Sequence, residues 1–261
     1  MNEFAQETTA LTWRWIRRLS REPISLAFGL IQPMLFWLIL FGNLFKRCQI
    51  PGIQGPDYIS FLTAGVIVMT VLNSGLAGGV DMLFDKENGF LERLMSAPIS
   101  RNSLIVSRFI FVMGITSLQI LVMLLVAFLL FGVKVASGFP GIVLTIMIGL
   151  LFGMGLIALS LSLAFSVKSH GSFFSLLGFL SLPLIFLSSA LVPTNIMPAR
   201  MSFLAKFNPM TYAIDVVRGL ILPSPAGGLP WGQVTQVVLV LLLFDVLCFV
   251  IAGRAFKKNL G

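Results

Sequence analysis

The chain of 261 residues is 57% hydrophobic and 11% charged, with a mean hydropathy of +0.98. Soluble globular domains carry about 25% charged residues, so this composition excludes a water-soluble protein and indicates an integral membrane protein. The net charge of +8 would suggest nucleic acid as the partner of a soluble protein. Here, basic flanks beside membrane spans account for the charge, and we expect no nucleic-acid partner.

The first 22 residues form an amphipathic pattern. At about 100° per residue, Leu11, Trp15, Ile16 and Leu19 fall on one side, opposite a side that is rich in arginine. Tryptophan at the level of the lipid head groups and arginine near anionic phosphates are typical of a helix in the membrane interface. We therefore predict an interfacial helix in residues 1–22, with a plain basic flank before the first span as the alternative. The arginines are Arg14, Arg17, Arg18 and Arg21.

Six stretches are long and apolar enough to span a membrane, which takes about 20 residues. Internal proline and glycine are compatible with this, because neighbouring helices satisfy the freed backbone groups. We expect Pro33 and Pro183 to kink the first and fifth spans. The sequence thus predicts an all-α integral membrane fold in which residues 1–261 form a single transmembrane domain. The predicted spans are residues 24–45, 59–80, 109–133, 141–167, 172–192 and 234–253.

The distribution of lysine and arginine orients these spans. Six spans place both termini on the same side of the membrane. If that side is the cytoplasm, twelve of the 18 basic residues lie in inner segments, in line with the positive-inside rule. We predict a multi-pass protein of the inner (plasma) membrane with a cytoplasmic N-terminus and C-terminus.

Residues 193–233, between the fifth and sixth spans, are predicted to form an outer helical hairpin. Asn208 and Pro209 are a strong helix start, with the amide side chain as the cap and proline in the first helical position. Apolar residues then keep helical spacing, and Asp215 and Arg218 can pair three residues apart. A passive outer cap and an exit gate are both compatible with this pattern.

Residues 81–108 hold the densest run of mixed charges and are predicted to form the largest cytoplasmic loop. Residues up to Glu87 can prolong the second span, and Asn88 with Gly89 is a turn signal that breaks it. A helix of about two turns follows and ends before Pro98. Because so short a helix is unstable alone, a partner must pack on it.

Two blocks of the sequence carry a family resemblance. Residues 87–101, Glu-Asn-Gly-Phe-Leu-Glu-Arg-Leu-Met-Ser-Ala-Pro-Ile-Ser-Arg, resemble the Gly-x-x-Glu-Arg-Leu-x-x-x-Pro-x-Ser-Arg segment of type-2 ABC transporter permeases. That family includes daunorubicin-resistance-like and polysaccharide or lipo-oligosaccharide exporters. Residues 187–193 and 208–218 resemble its second block. The resemblance covers essentially the whole chain and departs at Phe90, where the family commonly has a small hydroxyl residue.

The resemblance implies a permease subunit that pairs with a second copy of itself or a related permease, above two copies of a separate ATP-binding subunit. A coupling helix between the second and third spans would sit in a cleft of the ATPase, the N-terminal helix would be the connecting helix that runs along the inner membrane surface, and the outer hairpin would cap the exit. ATP and magnesium would bind to the partner, so this chain would need no cofactor. The implied ATPase-coupling residues are Glu87, Gly89, Phe90, Leu91, Glu92, Arg93, Leu94 and Pro98. The implied outer gate residues are Asn208, Pro209, Tyr212, Asp215 and Arg218.

The sequence contains no motif for catalysis. It lacks the Gly-x-x-x-x-Gly-Lys-Ser/Thr phosphate loop and a recognisable catalytic or metal-binding set, so we predict a transport subunit that is not an enzyme. The single histidine, His170, is expected to be a solvated turn residue. Asp245 is acidic and lies inside a predicted span. It is either a functional polar group or a structural residue bonded to a neighbouring helix.

The sequence favours an ATP-driven exporter of an amphipathic, lipidic or drug-like molecule, because an apolar pathway with few fixed charges suits such a cargo better than a small ion. A polysaccharide or glycolipid exporter is the alternative within the family. An ion-coupled secondary carrier is a different class, and it would be expected to show repeated broken helices or several intramembrane charges. Membrane lipid is a partner in every case.

Overall fold

The structure, a computed structural model, describes residues 3–21, 23–44, 58–96, 99–167, 169–222 and 231–260. All regular secondary structure in these ranges is helical, and they contain no β-strand. Helices satisfy every backbone polar group within one segment, as lipid surroundings require. The predicted all-α membrane fold is confirmed at this level.

Four stretches in the described ranges are long and apolar enough to cross a membrane: Tyr58–Glu87, Arg101–Phe131, Gly138–Ser166 and Trp231–Ala255. They correspond to the predicted second, third, fourth and sixth spans. The α-helices in chain order are α1 (Glu3–Arg21), α2 (Pro23–Gln32), α3 (Gly42–Leu44), α4 (Tyr58–Ala77), α5 (Val80–Glu87), α6 (Phe90–Met95), α7 (Arg101–Phe131), α8 (Gly138–Ser166), α9 (His170–Phe186), α10 (Ala199–Ala205), α11 (Pro209–Ile221) and α12 (Trp231–Leu260).

The predicted first and fifth spans lie in shorter apolar helices. The first comprises α2, a π-helix (Pro33–Phe41) and α3, so the helical hydrogen bonding changes at the proline. The fifth is α9, whose 17 residues extend about 25 Å at 1.5 Å per residue, less than the roughly 30 Å of the hydrocarbon layer. Helix α9 continues through Pro183. The arrangement of six spans therefore stays a prediction.

Helix α4 is the centre of the bundle. Sixteen of its 20 residues are buried, and it packs against α7, α8, α11 and the π-helix. A helix that is apolar all round is expected in such a position. Small residues allow the close approach: a methyl group added to Gly65 would lie 2.3 Å from the carbonyl oxygen of Ala190.

The second predicted span is broken at Gly78 and Gly79, between α4 and α5. Ser160 of α8 fills the break. Its hydroxyl donates to the carbonyl oxygen of Leu76 and accepts a hydrogen bond of 2.8 Å from the amide of Gly79. One side chain thus satisfies two backbone groups that the break frees. The sequence prediction let the second span continue to Glu87 and did not identify this break.

The helices outside the main bundle gather at two opposite ends. Helices α1, α5 and α6 lie at what we call the basal end, beside the start of α7 and the end of α8. Helices α10 and α11 lie at the other, distal end, beside the start of α4. Helix α12 packs along α8 between the two ends.

We expect Gly65→Ala to destabilise the protein. Its added methyl group would meet the backbone of Ala190 at 2.3 Å, and overpacking of this kind typically costs about 1–3 kcal/mol. Gly114→Ala in α7 is the matched control, because its added methyl group meets no described atom within 4 Å apart from its own stretch of helix and alanine is the better helix former. The apparent melting temperature of the purified protein in detergent should fall only for Gly65→Ala. Equal melting temperatures would contradict the close packing of α4.

Candidate functional site

Five charged side chains join α1 to the basal ends of α5 and α7. We call them the charged cluster: Arg14 and Arg18 of α1, Asp81 and Asp85 of α5, and Arg108 of α7. Arg14 donates to Asp85 at 2.7 Å, and Arg18 donates to the same carboxylate at 3.3 Å. Arg108 donates to Asp81 at 2.6 Å, and Arg18 lies 3.7 Å from the other oxygen of Asp81. Each carboxylate therefore bridges two arginines.

The spacing of these residues explains why they meet. Arg14 and Arg18 are four residues apart in α1, and Asp81 and Asp85 are four residues apart in α5, so each pair occupies one stripe of its helix. The two stripes face each other. The arginines were predicted on one side of α1, but the carboxylates that face them were not identified from the sequence, because they lie about 70 positions away in the chain.

Arg108 is the most deeply buried member of the cluster, with 3% of its surface exposed. Its Nε donates to the carbonyl oxygen of Gly78 at 2.6 Å, so the same side chain holds both the α4–α5 break and the carboxylate of Asp81. Its guanidinium lies 4.6 Å from the ring centroid of Trp15 and 5.2 Å from that of Phe111. The planar guanidinium can donate in several fixed directions and stack on aromatic rings, which a lysine cannot do.

The cluster also contacts the predicted coupling helix. The guanidinium of Arg14 lies 4.5 Å from the ring centroid of Trp15 and 4.1 Å from that of Phe90, the first residue of α6. Such cation–π contacts contribute about 0.5–2 kcal/mol. Phe90 is the position at which the sequence departs from the family pattern, and its ring ties α6 to the N-terminal helix.

A second contact joins α1 to the start of α7. The Glu7 carboxylate accepts hydrogen bonds from the Ser100 amide at 3.1 Å and from the Ser103 hydroxyl at 2.7 Å. Ser100 is the N-cap of α7, where a negative charge is favourable because of the helix dipole. The hydrogen bonds from Ser103 and Ser100 lower the pKa of Glu7 from its usual value.

The end of α5 is tied to α8 and α9 as well. The Lys86 ammonium donates to the carbonyl oxygens of Phe165 at 2.9 Å and Val167 at 3.0 Å, a favourable place for a cation at the end of a helix. Glu87 contacts Nδ1 of His170, whose ring centroid lies 4.1 Å from that of Phe84. His170 is therefore not a simple solvated turn residue, and that expectation is corrected.

The predicted coupling segment forms the expected helix. Helix α5 ends before Asn88 and Gly89, with Gly89 in the left-handed region at φ +67°, and α6 ends at Met95, before Pro98 as predicted. Its first buried residue is Leu91, with 5% of its surface exposed. Of the other implied ATPase-coupling residues, Leu94 is half-buried, Glu92 and Arg93 are exposed, and Pro98 lies outside the described residues.

Residues 81–108 are not one solvated loop. Asp81 lies in α5 and Arg108 in α7, and the salt bridge between them closes the segment at its base. Within the described part of this segment, only Asn88, Gly89, Ser96, Ile99 and Ser100 lie outside helices. The segment is thus more helical than predicted, because residues 101–108 already belong to α7, and its place in the cytoplasm stays a prediction.

The implied outer gate residues come together at the distal end. The Asn208 side chain accepts from the Met210 amide at 2.9 Å and donates to the carbonyl oxygens of Leu184 at 2.8 Å and Leu187 at 2.7 Å. It thus caps α11, as predicted, and also binds the end of α9. Pro209 is the first residue of α11, and α10 (Ala199–Ala205) precedes it in the same outer segment.

The predicted pair of Asp215 and Arg218 is confirmed at 3.0 Å. Ser189 completes it: its hydroxyl donates to Asp215 at 2.6 Å, and its carbonyl oxygen accepts from Arg218 at 2.6 Å. The guanidinium lies 3.6 Å from the ring centroid of Phe61, so Arg218 is buried and anchors α11 on α4. The Tyr212 hydroxyl donates to the carbonyl oxygen of Lys206 at 2.8 Å.

Asp245 lies apart from both ends. It is buried in α12, with its carboxylate against the backbone of Gly155 in α8. Its functional role stays a prediction. Among the described residues, no group of three His, Cys, Asp or Glu could hold a metal ion.

We expect Asp85→Asn to weaken the basal end. The substitution leaves two arginines without their shared carboxylate, and breaking a buried pair costs about 3–5 kcal/mol. However, 29% of the Arg14 side chain and 32% of the Arg18 side chain are exposed. We therefore expect the free energy of unfolding to fall by about 2–3 kcal/mol, at or below the lower end of that range. Glu92→Gln, at an exposed carboxylate of α6, is the control. Protease cleavage within α1 should accelerate only in Asp85→Asn, and equal cleavage of both variants would contradict this role.

The contact of Glu7 should depend on pH. Its folded-state pKa lies below the usual 4.5, so the contact stabilises the folded protein above that pH and is lost as the pH falls through the folded-state pKa. Amide hydrogen-exchange protection of α1 should therefore fall in the wild type as the pH is lowered below 4.5 and through the folded-state pKa. Glu7→Gln should lack this dependence and Glu3→Gln should keep it. An identical profile in wild type and Glu7→Gln would refute the contact.

Comparison with known proteins identifies the family. Residues 6–222 match the family model of ABC-2 type transporters. The chain is 33% identical to a protein described as a transport permease, ycf38, of Porphyra purpurea, over 99% of this chain and 91% of the relative. The Cyanophora paradoxa protein of that name is 31% identical over 98% of this chain and 90% of the relative. A daunorubicin resistance ABC transporter permease, DrrB1 of Streptomyces coeruleorubidus, is 24% identical over 80% of this chain and 72% of the relative. The chain belongs to the ABC-2 type transporter family and is a membrane permease of an ABC transporter.

Proposed function

We propose that this permease is the membrane subunit of an ATP-driven exporter and that it receives movement from a separate ATP-binding subunit through α6. The observation that carries the proposal is the two-sided character of this short helix. Glu92 and Arg93 point to solvent, whereas Leu91 is buried in the bundle and Phe90 is held by Arg14. A docking partner would supply the packing that a helix of two turns needs.

The contacts of α5 provide a route from α6 to the spans. A partner that displaces α6 also displaces α5, because only Asn88 and Gly89 separate them. Helix α5 is joined to α1 and α7 through the charged cluster, and to α8 and α9 through Lys86 and Glu87. Rigid-body movement of packed elements is a common way to transmit a conformational change. The break at Gly78 and Gly79 supplies the point at which α5 turns relative to α4.

We further propose that the basal end faces the cytoplasm, with both termini there, and that the protein lies in the plasma membrane. The excess of basic residues in the segments at that end supports this orientation. The exposed apolar side chains of α9 and α12, such as Phe179 and Leu239 with 76% and 68% of their surface exposed, suit lipid and a second copy of this chain. The outer hairpin at the distal end, which Arg218 fixes to α4, would cap the exit.

For the cargo, we propose an amphipathic, lipidic or drug-like molecule, with a polysaccharide or glycolipid as the alternative. The similarity to a daunorubicin resistance permease and the apolar character of the bundle support the first. Reconstitution with the ATP-binding subunit, followed by a screen for compounds that raise ATP hydrolysis, distinguishes the two. Transport by the purified chain alone under an ion gradient would instead indicate a secondary carrier and overturn the proposal.

Glu92→Ala should uncouple this permease from its ATP-binding subunit. The side chain is exposed on α6, so its removal should leave insertion and folding intact while association weakens about tenfold, the effect of losing about 1.4 kcal/mol. Leu94→Arg should have the same effect and should also disturb the packing of α6 near Leu104 and Phe165. Glu3→Ala, at an exposed carboxylate of α1, is the control.

Co-purification of the ATP-binding subunit and substrate-stimulated ATP hydrolysis are the measurements for these variants. Both should fall in Glu92→Ala and Leu94→Arg and stay at the wild-type level in Glu3→Ala. Unchanged stimulation in both α6 variants would rule out the coupling role of this helix.

A further inference from the structure

An open groove runs along α1 beside the charged cluster. It has a cavity volume of about 480 Å³, and four of the six residues that line it are arginines. Two of these arginines, Arg14 and Arg18, belong to the charged cluster, and a half-exposed tryptophan, Trp13, also lines the groove. We call it the basic groove, and its lining residues are Ala10, Trp13, Arg14, Arg17, Arg18 and Arg21.

The helical spacing gives the basic groove its length. Ala10, Arg14, Arg17 and Arg21 follow one another at intervals of four, three and four residues, so they form one continuous stripe. At 1.5 Å per residue the stripe is about 16 Å long.

The charges in the groove are only partly compensated. Arg14 and Arg18 share the carboxylates of the charged cluster, as described above. Arg17 and Arg21 are exposed and form no ion pair with any described residue. Arg17 instead lies 5.7 Å from the ring centroid of Trp13. Among the described residues, these four arginines and Arg108 outnumber the two carboxylates of the charged cluster by three positive charges.

We propose that the basic groove binds the phosphate diester of an anionic phospholipid head group, for example that of phosphatidylglycerol. Guanidinium groups donate two parallel hydrogen bonds to phosphate oxygens, and the unpaired Arg17 and Arg21 supply the donors. A lipid is the source that fits the position. Trp13 and Ile16, with 54% and 42% of their surface exposed, lie on the neighbouring face of α1, where an aromatic ring suits the head-group level of a bilayer.

This site would link lipid composition to the basal end. Arg14 and Arg18 line the groove and also donate to Asp85. A bound phosphate would therefore interact with the same guanidinium groups that fix α1 to α5. The anionic lipid content of the membrane would thereby tune the strength of that connection. The proposal concerns binding by this chain and does not depend on the ATP-binding subunit.

Native mass spectrometry of the purified chain tests the site, after incubation with equal amounts of phosphatidylglycerol and phosphatidylcholine. The wild type should retain phosphatidylglycerol preferentially. The double variant Arg17→Gln/Arg21→Gln should bind it about 30-fold more weakly, since each arginine near an anionic surface contributes about 1 kcal/mol and a tenfold change is about 1.4 kcal/mol. The variant Arg200→Gln/Arg254→Gln removes the same charge from exposed positions elsewhere and should bind like the wild type.

Two outcomes would overturn the proposal. The first is equal loss of phosphatidylglycerol in both double variants, which would indicate a general charge effect. The second is complete displacement of the lipid by millimolar inorganic phosphate, which would assign the groove to a free anion. Retention of the lipid under phosphate supports the head-group site.

A second measurement needs no arginine variant and so does not depend on the folding of one. Brominated phosphatidylglycerol in nanodiscs should quench tryptophan fluorescence more than brominated phosphatidylcholine does. Trp13→Phe should abolish that difference, because Trp13 borders the groove. Equal quenching by the two lipids in the wild type would contradict binding at this position.

Discussion

The buried guanidinium of Arg108 is the constraint around which the basal end is built. A charge removed from water must be paired and hydrogen-bonded, or it costs several kcal/mol. Arg108 obtains its compensation from three different elements: the carbonyl oxygen of Gly78 at the helix break, the carboxylate of Asp81 in α5 and the ring of Trp15 in α1. None of these elements can shift alone without leaving part of that charge unpaired.

The same arrangement makes α5 the point where the basal contacts meet. Its eight residues include two carboxylates for the arginines of α1 and α7, an ammonium for the end of α8 and a carboxylate for His170. The helix is separated from α4 by a break whose backbone groups are held by Ser160. A segment bound strongly to its neighbours, yet not continuous with the central helix, can move as a unit with them. This property supports the proposed transmission of movement from α6.

The sequence predicted the local features well and the long-range ones poorly. Amphipathic spacing located α1, α6 and α11, and the Asn208 cap was found from its own side chain and the proline after it. The charged cluster was missed because Arg14 and Asp85 lie 71 positions apart, and no local pattern selects one carboxylate among several. The break at Gly78 and Gly79 was missed for the same reason, since Ser160, 81 positions away, satisfies the freed amide.

The burial of α4 has a consequence for how the chain is made. A helix with 16 of 20 residues buried has almost no surface left for lipid in the finished protein, yet α7, α8 and α11, which cover it, follow it in the sequence. While the chain is being inserted, α4 must therefore stand among lipids or insertion factors, with Gly65 and its buried threonines Thr63 and Thr70 not yet covered. Helix α4 is thus made early, yet it reaches its final surroundings only after α11 has been inserted.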